Sequence, residues 1–212
     1  MSTASAQLER LTFFSDAVFA IAITLLIIEV HVPHLSTRDD QAYWLALQAL
    51  QPSFMGFVLS FLVIGALWVA HHRVFGMLTD YSPSILWPNM LLLMVVAFMP
   101  FATALMSSNP TARVPELFYA GTLLVAGLLQ RLLFSIALRP GFVRADIGAE
   151  HVVATRWRAW GLPTTAALAL IAAWFAPGWN NLLWLAIPVF VRLFYALGLR
   201  RTLRLQPVAV SG

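Results

Sequence analysis

The chain has 212 residues, of which 60% are hydrophobic and only 10% are charged. A soluble domain carries roughly a quarter charged residues, so this composition excludes an ordinary soluble fold. The apolar residues form runs close to the ~20 residues that cross a bilayer core, which predicts an integral membrane protein. The absence of cysteine excludes disulfides, thiolate metal sites and a cysteine nucleophile. The net charge of +4 comes mostly from arginines at the ends of apolar runs, and we expect no nucleic-acid partner.

Hydropathy predicts an all-α fold with six membrane-spanning helices, because strand-type alternation is absent and the apolar runs are too long for barrel strands. The predicted spans cover residues 12–32, 54–70, 85–106, 117–138, 160–176 and 181–199. An apolar helical stretch at 41–50 precedes the second span, and Pro52 predicts a kink between the two. The first run lacks a small-residue cleavage site, so we expect it to remain as the first helix. No linker interrupts the chain, which predicts one domain over residues 1–212.

The distribution of arginine predicts the orientation of the helices. Nine arginines fall on the side of the N-terminus, the 2–3 loop, the 4–5 loop and the C-terminal tail, against two on the opposite side. Positive residues accumulate in cytoplasmic loops, so both termini are expected in the cytoplasm. The localisation that follows is a multi-pass membrane protein.

Polar residues inside three of the spans fall at one level of the membrane, near its cytoplasmic side. They are Ser15, Asp16, Trp68, His71, His72 and Asn89. Polar groups in lipid are costly, so each indicates either a tie between helices or a functional site. We interpret this set as a structural network in which Trp68, His71, His72 and Asn89 are the available donors to Asp16, while a proton relay and a metal site remain alternatives. Adjacent histidines point about 100° apart on a helix, which is poor for chelating one ion.

The first span also carries a helical stripe, formed by Ile21, Thr24, Leu25 and Ile28 at spacings i, i+3, i+4 and i+7. Such a stripe is typical of packing or lipid contact, and periodicity alone does not identify a pore. Glu29, at the outer end of this span, is either an interfacial carboxylate or a group that attracts cations to a pore mouth. No enzyme motif, nucleotide-binding glycine pattern or TVGYG-like filter is present, so we expect neither an enzyme nor a cofactor.

Residues 10–16 (RLTFFSD) match the R-x-x-x-F-S-D signature of the bacterial relatives of the lysosomal potassium channel, the transmembrane-protein-175 family. The resemblance continues through residues 17–26. Residues 68–75 (WVAHHRVF) resemble the end of the family's helix 2, and Asn89 with residues 98–101 (FMPF) resembles its helix 3. Helices 1 to 3 therefore resemble the family in detail, whereas the remainder agrees only in the number and length of spans.

This resemblance implies a potassium-permeable cation channel without a P-loop filter. It implies a homotetramer in which helix 1 of each subunit lines a central pore, with a hydrophobic constriction at Ile21 and further layers at Thr24 and Ile28. The implied partners are K⁺ and other monovalent cations, membrane lipid and further copies of the chain. The residues implied to hold helix 1 in place are Arg10, Ser15, Asp16, Trp68, His71 and Asn89.

Two alternatives of other classes remain at this point. A proton-coupled secondary transporter would use the Asp16 and His71 cluster, although the sequence lacks the paired interrupted segments of inverted repeats. An intramembrane enzyme would need Asp16, His71 and His72 to converge on a cleft that lipid can enter.

Overall fold

The computed structural model describes residues 3–205, and residues 1–2 and 206–212 of the predicted domain lie outside that range. The described chain forms eight α-helices: α1 (Thr3–Leu25), α2 (Asp40–Ala49), α3 (Gln51–Phe75), α4 (Leu86–Ser107), α5 (Arg113–Ala137), α6 (Ala149–Arg158), α7 (Gly161–Phe175) and α8 (Ile187–Leu205). Short 3-10 helices at Leu26–Glu29, Pro83–Ile85 and Trp179–Ala186 extend α1 and lead into α4 and α8. The all-α fold is confirmed.

Five helical segments are long and apolar enough to cross a membrane. They are Ala4–Glu29, Gln51–Phe75, Pro83–Ser107, Arg113–Ala137 and Trp179–Thr202. The fifth predicted span, 160–176, corresponds to α7, which has 15 residues. At 1.5 Å per residue it rises about 22 Å, less than the ~30 Å hydrocarbon core. Five of the six predicted spans thus correspond to helices of sufficient length. That the chain crosses the membrane six times stays a proposal.

Helices α3 and α4 run antiparallel, because His71 near the end of α3 bonds to Asn89 near the start of α4, and we call this end of the bundle, where Ser15 of α1 joins them, the basal end. The α3–α4 and α5–α6 loops meet there, because the Thr79 amide donates to the Phe142 carbonyl and the Arg144 amide to the Met77 carbonyl, both at 2.9 Å. The opposite, apical end holds α2, the α4–α5 loop and the 3-10 segment Trp179–Ala186. Asp39 caps the start of helix α2, because its carboxylate accepts a hydrogen bond from the Gln41 amide.

Small residues allow the second half of the bundle to pack closely. Ala166, Ala169 and Ala173 of α7 are fully buried, and α7 packs against α5 and α8. A Cβ built on Gly198 of α8 would lie 2.7 Å from the Cα of Ala154 in α6, a separation that only glycine permits. Helix α6 lies outside the candidate spans and is fastened to the basal half of α8 by this contact.

Candidate functional site

Helix α1 has one buried face and one open face. Its buried face, which includes Phe19, Ala22 and Leu26, packs against α3 and α4. The predicted stripe lies on the open face, where Ile21 is 58% exposed, Leu25 40% and Ile28 66%. The helix tightens to 3-10 geometry at Leu26, which still leaves Ile28 on the same side as Ile21. The single chain therefore presents a row of large apolar side chains to its surroundings from its first helix.

The hydroxyl of Thr24 is oriented by its own helix. Its Oγ1 donates a hydrogen bond to the Ile21 carbonyl at 2.9 Å. A hydroxyl that donates its only proton keeps its oxygen lone pairs as acceptors, so Thr24 offers the open face an oxygen suited to a cation. Glu29 ends the 3-10 segment that follows α1, and its side chain is half-buried.

A hydrogen-bonded group at the basal end joins α1, α3 and α4, and we call it the basal cluster: Ser15, Asn89 and His71, with Asp16 and Trp68 beside them. The side-chain amide of Asn89 donates to Ser15 Oγ at 2.9 Å. The oxygen of the same amide lies 2.8 Å from His71 Nε2, and because an amide oxygen only accepts, His71 donates there. Ser15, His71 and Asn89 are fully buried, so the three side chains connect three helices away from water.

Asp16 takes its hydrogen bond from another donor. The Trp68 indole N–H donates to Asp16 Oδ1 at 2.8 Å, which ties α1 to α3 a second time. His72 is exposed and only its ring lies near Trp68, at 5.4 Å between centroids. Of the four donors expected to serve Asp16, the described geometry assigns it Trp68, while His71 and Asn89 bond to one another.

Arg10 lies apart from the basal cluster. It is exposed, and among residues 3–205 it has no hydrogen bond or ion pair. Eleven residues separate it from Ile21, which at 100° per residue places it about 20° from Ile21 around the helix, on the open face.

His71 makes no continuous relay with Asp16. Its Nδ1 atom is buried without a hydrogen-bond partner, and its ring stacks on Phe75 at 4.0 Å and lies 5.5 Å from Phe19. Within the described part of the chain, no three His, Asp or Glu side chains gather closely enough to hold a metal ion.

A second buried polar group was not anticipated from the sequence, and it lies at the apical end. Its members, which we call the apical cluster, are Glu116 and Tyr119 of α5, Asn180, Asn181 and Trp184 of the last 3-10 segment, and Ser60 and Thr103 of α3 and α4. The Glu116 carboxylate accepts from Asn180 Nδ2 at 3.1 Å and from Asn181 Nδ2 at 2.9 Å. The Tyr119 hydroxyl lies 3.0 Å from Ser60 Oγ, to which Thr103 donates.

The signal for the apical cluster is present but weak. Glu116 and Tyr119 are three residues apart and so share a face of α5, which follows from the sequence. The adjacent Asn180 and Asn181 look like ordinary loop residues, and only the fold brings them to Glu116.

These observations define an integral membrane protein: an all-helical bundle whose first helix leaves an apolar stripe open and is held to its neighbours by buried polar bonds. Residues 10–100 match the model of the endosomal/lysosomal potassium channel TMEM175 family. A potassium channel of Chamaesiphon minutus is 36% identical over 177 residues, which cover 80% of this chain and 87% of the relative. The chain belongs to the TMEM175 family.

Two further similarities agree with this assignment. A potassium channel of Streptomyces collinus is 35% identical over 173 residues, covering 77% of this chain and 83% of the relative. The crystal structure of a lysosomal potassium-selective channel TMEM175 homolog from Chamaesiphon minutus matches with a TM-score of 0.71 and 30% identity, over 94% of this chain and 98% of that one. The family and these relatives are ion channels, which confirms both the family resemblance and the expectation that the chain is not an enzyme.

Proposed function

We propose that the chain is one subunit of a potassium-permeable cation channel in the bacterial plasma membrane. The related proteins are named potassium channels, and they align over more than three quarters of this chain. We further propose that residues 1–212 form one channel domain whose helices cross the membrane six times, with α7 as the shortest crossing, and that both termini face the cytoplasm. Nine of the arginines would then face the cytoplasm, in line with the positive-inside rule.

The observation that carries the proposal is the open apolar stripe on α1. One helix cannot enclose an ion path, so several copies of α1 must surround it, and we propose a homotetramer with closed four-fold symmetry. In such a tetramer the stripe turns from an exposed surface into the wall of a central pore.

The chemistry of the stripe suggests how the pore works. A ring of four Ile21 side chains narrows the path and closes it by dewetting, without a carbonyl-lined filter. The Thr24 hydroxyls supply acceptor oxygens for a partly dehydrated cation, Leu25 and Ile28 continue the wall, and Glu29 attracts cations at the mouth. A ring of hydroxyls has a weaker field than a cage of carbonyls, so we expect potassium to be preferred over sodium by a modest factor.

The basal cluster would set the rotation of α1 about its axis. Ser15 and Asp16 bond to α4 and α3 from the side of α1 that faces away from Ile21. This arrangement supports a positioning role for the cluster and leaves the permeant ion to the stripe.

The decisive experiment is Ile21→Asn in protein reconstituted into liposomes under a potassium gradient. A ring of four asparagine side chains in place of the four Ile21 side chains wets the constriction. Potassium flux should therefore rise several-fold, and discrimination between potassium and sodium should fall. The matched control is Ile23→Asn, because Ile23 lies about 160° from Ile21 on the same regular helix and packs against the core. That variant should lower the yield of folded protein without raising flux per tetramer.

An Ile21→Asn variant that folds, assembles and conducts as the parent does would refute the constriction at Ile21. A strictly monomeric particle in lipid would remove the central pore altogether. Saturable counter-flux in place of channel currents would favour the transporter, which the named relatives and the separate bonding of Asp16 and His71 do not support.

A further inference from the structure

A cleft of about 280 Å³ opens on the side of the bundle, between α3 and the segment formed by α6, α7 and α8. Its walls are almost entirely apolar and include Val63, Leu67, Leu162, Ile187 and Val191. The Gln130 amide, which also lines the cleft, donates to the Leu67 carbonyl at 2.9 Å. One of the two N–H donors of this amide is therefore engaged, and the apolar depth of the cleft suits a hydrocarbon chain better than a polar ligand.

The cleft follows α3 towards the basal end. Its lining residues on α3 extend from Val63 to Val74, eleven steps along the helix that rise about 16 Å. This is about half of the ~30 Å hydrocarbon core, or roughly one leaflet. A single extended acyl chain has this shape and direction.

Two arginines stand at the basal mouth of the cleft, Arg73 at the end of α3 and Arg158 at the end of α6. Within residues 3–205 neither forms a hydrogen bond or an ion pair. Arg156, on the other side of α6, donates to the Ser135 carbonyl at 2.8 Å, and Arg131 lies over the Trp160 ring at 4.0 Å. Arg73 and Arg158 are thus the guanidinium groups lining this cleft that have no partner among the described residues.

We propose that the cleft binds one anionic phospholipid per subunit, with an acyl chain between α3 and α8 and the headgroup phosphate on Arg73 and Arg158. Guanidinium groups bind phosphate oxygens by charge-assisted hydrogen bonds. Basic pockets between transmembrane helices, at the level of the headgroups, bind anionic lipids in the same way. A soluble anion would satisfy the arginines but leave the apolar depth empty, and a neutral lipid would fill the depth but not balance the charge. Such a lipid would join α6 and α8 to α3 across a gap that the protein does not fill itself.

The test is native mass spectrometry of the purified full-length protein in detergent, titrated with phosphatidylglycerol and, separately, with phosphatidylcholine. The wild type should retain one phosphatidylglycerol per subunit in preference to phosphatidylcholine. Each arginine near anionic lipid contributes about fivefold in affinity, so the double variant Arg73→Ala/Arg158→Ala should bind phosphatidylglycerol roughly 25-fold more weakly. Arg156→Ala, which removes the same charge from the other face of α6, should bind as the wild type does.

A second variant tests the acyl chain. Ala70→Trp places a large ring in the cleft and should abolish retention of the lipid. If this variant fails to fold, the milder Ala70→Leu replaces it and should weaken retention. An equal loss of phosphatidylglycerol binding with Arg156→Ala would show that general surface charge alone attracts the lipid, and it would overturn the proposal. Retention unaffected by Ala70→Leu, or full displacement by inorganic phosphate, would also overturn it in favour of a headgroup-only site. A wild-type protein that retains no lipid while a neighbouring copy crosslinks into the cleft would make this face a subunit contact. None of these measurements depends on ion conduction, so they are independent of the channel function.

Discussion

The basal and apical clusters bury polar side chains at opposite ends of the same bundle, but they fasten different kinds of element. The basal cluster joins three long helices through a hydroxyl, an amide and an imidazole, with Asn89 bonded to Ser15 on one side and to His71 on the other. The apical cluster surrounds a carboxylate, Glu116, with two consecutive asparagines from a short 3-10 segment. We therefore expect one cluster to set the rotation of α1 and the other to set where α8 begins.

The two clusters also differ in how strictly they specify their members. The Asn180 oxygen accepts from the Gly178 amide and the Asn181 oxygen accepts from the Trp184 indole, so both asparagine NH₂ groups must face Glu116. Both oxygens of residue 116 must then be acceptors, which among side chains of this length only a carboxylate provides. The basal cluster specifies its members less strictly, because the single Asn89 amide bonds to both of its partners, Ser15 and His71. The proposed ion path lies on α1, so its geometry depends mainly on the basal cluster.

The largest effect is expected from Asn89→Ala. The change removes two interhelical hydrogen bonds and leaves both ring nitrogens of His71 without a partner in a buried site. We expect a loss of about 2 kcal/mol in the free energy of unfolding, because two such bonds near the upper end of membrane values are lost together. Unfolding in a detergent titration measures this loss, and potassium flux per reconstituted protein should fall as α1 loses its orientation.

Asn109→Ala is the matched control for that variant, because the Asn109 side chain is exposed at the apical end and donates to the Leu105 carbonyl of the preceding helix α4. It should leave both the stability and the flux close to those of the parent. If Asn89→Ala were no more destabilised than Asn109→Ala, the basal cluster would not hold α1.

Glu116→Gln should have the next largest effect and sharpen the contrast between the clusters. The new amide presents one NH₂ group to asparagine NH₂ groups that cannot turn without breaking their own bonds. We expect a loss of about 1 kcal/mol. Hydrogen exchange should accelerate in the 3-10 segment Trp179–Ala186 and remain unchanged in α1. Faster exchange in α1 as well would show that the two clusters are not independent.

Much of the fold could be predicted from hydropathy, because long apolar helices are the direct response of a chain to lipid. Whether α7 crosses the membrane could not. Its bounds, Gly161–Phe175, match the predicted span 160–176 to within one residue, but its 15 residues are short for a crossing, and its buried alanines show that part of its surface packs against α5 and α8. Burial by neighbouring helices and burial by lipid favour the same residues, so hydropathy does not separate them.

The candidate site was predictable to the extent that it lies on one helix. The stripe through Ile21 follows from spacing alone, and the depth of Ser15, His71 and Asn89 in their spans placed them together. Arg10 lies apart from them in the single subunit, and its expected role in holding helix 1 in place stays a prediction. The approach of Asn180 to Glu116 depends on the packing of segments 64 residues apart, which no local pattern contains.

The smallest effect is expected from the bond between Asp16 and Trp68, which is partly exposed and joins α1 to α3 beside the buried part of the basal cluster. A double-mutant cycle of Asp16→Ala and Trp68→Phe should give a coupling of about 0.5 kcal/mol, the average for side-chain hydrogen bonds in membrane proteins. Trp44→Phe on the exposed helix α2 serves as the control and should show no coupling to Asp16→Ala. Asp16 lies about 140° from Ile21 around the helix, so its loss should reduce the yield of assembled protein and leave the preference for potassium unchanged. A normal yield combined with a sharply altered preference would instead place the Asp16 carboxylate in contact with the permeant ion.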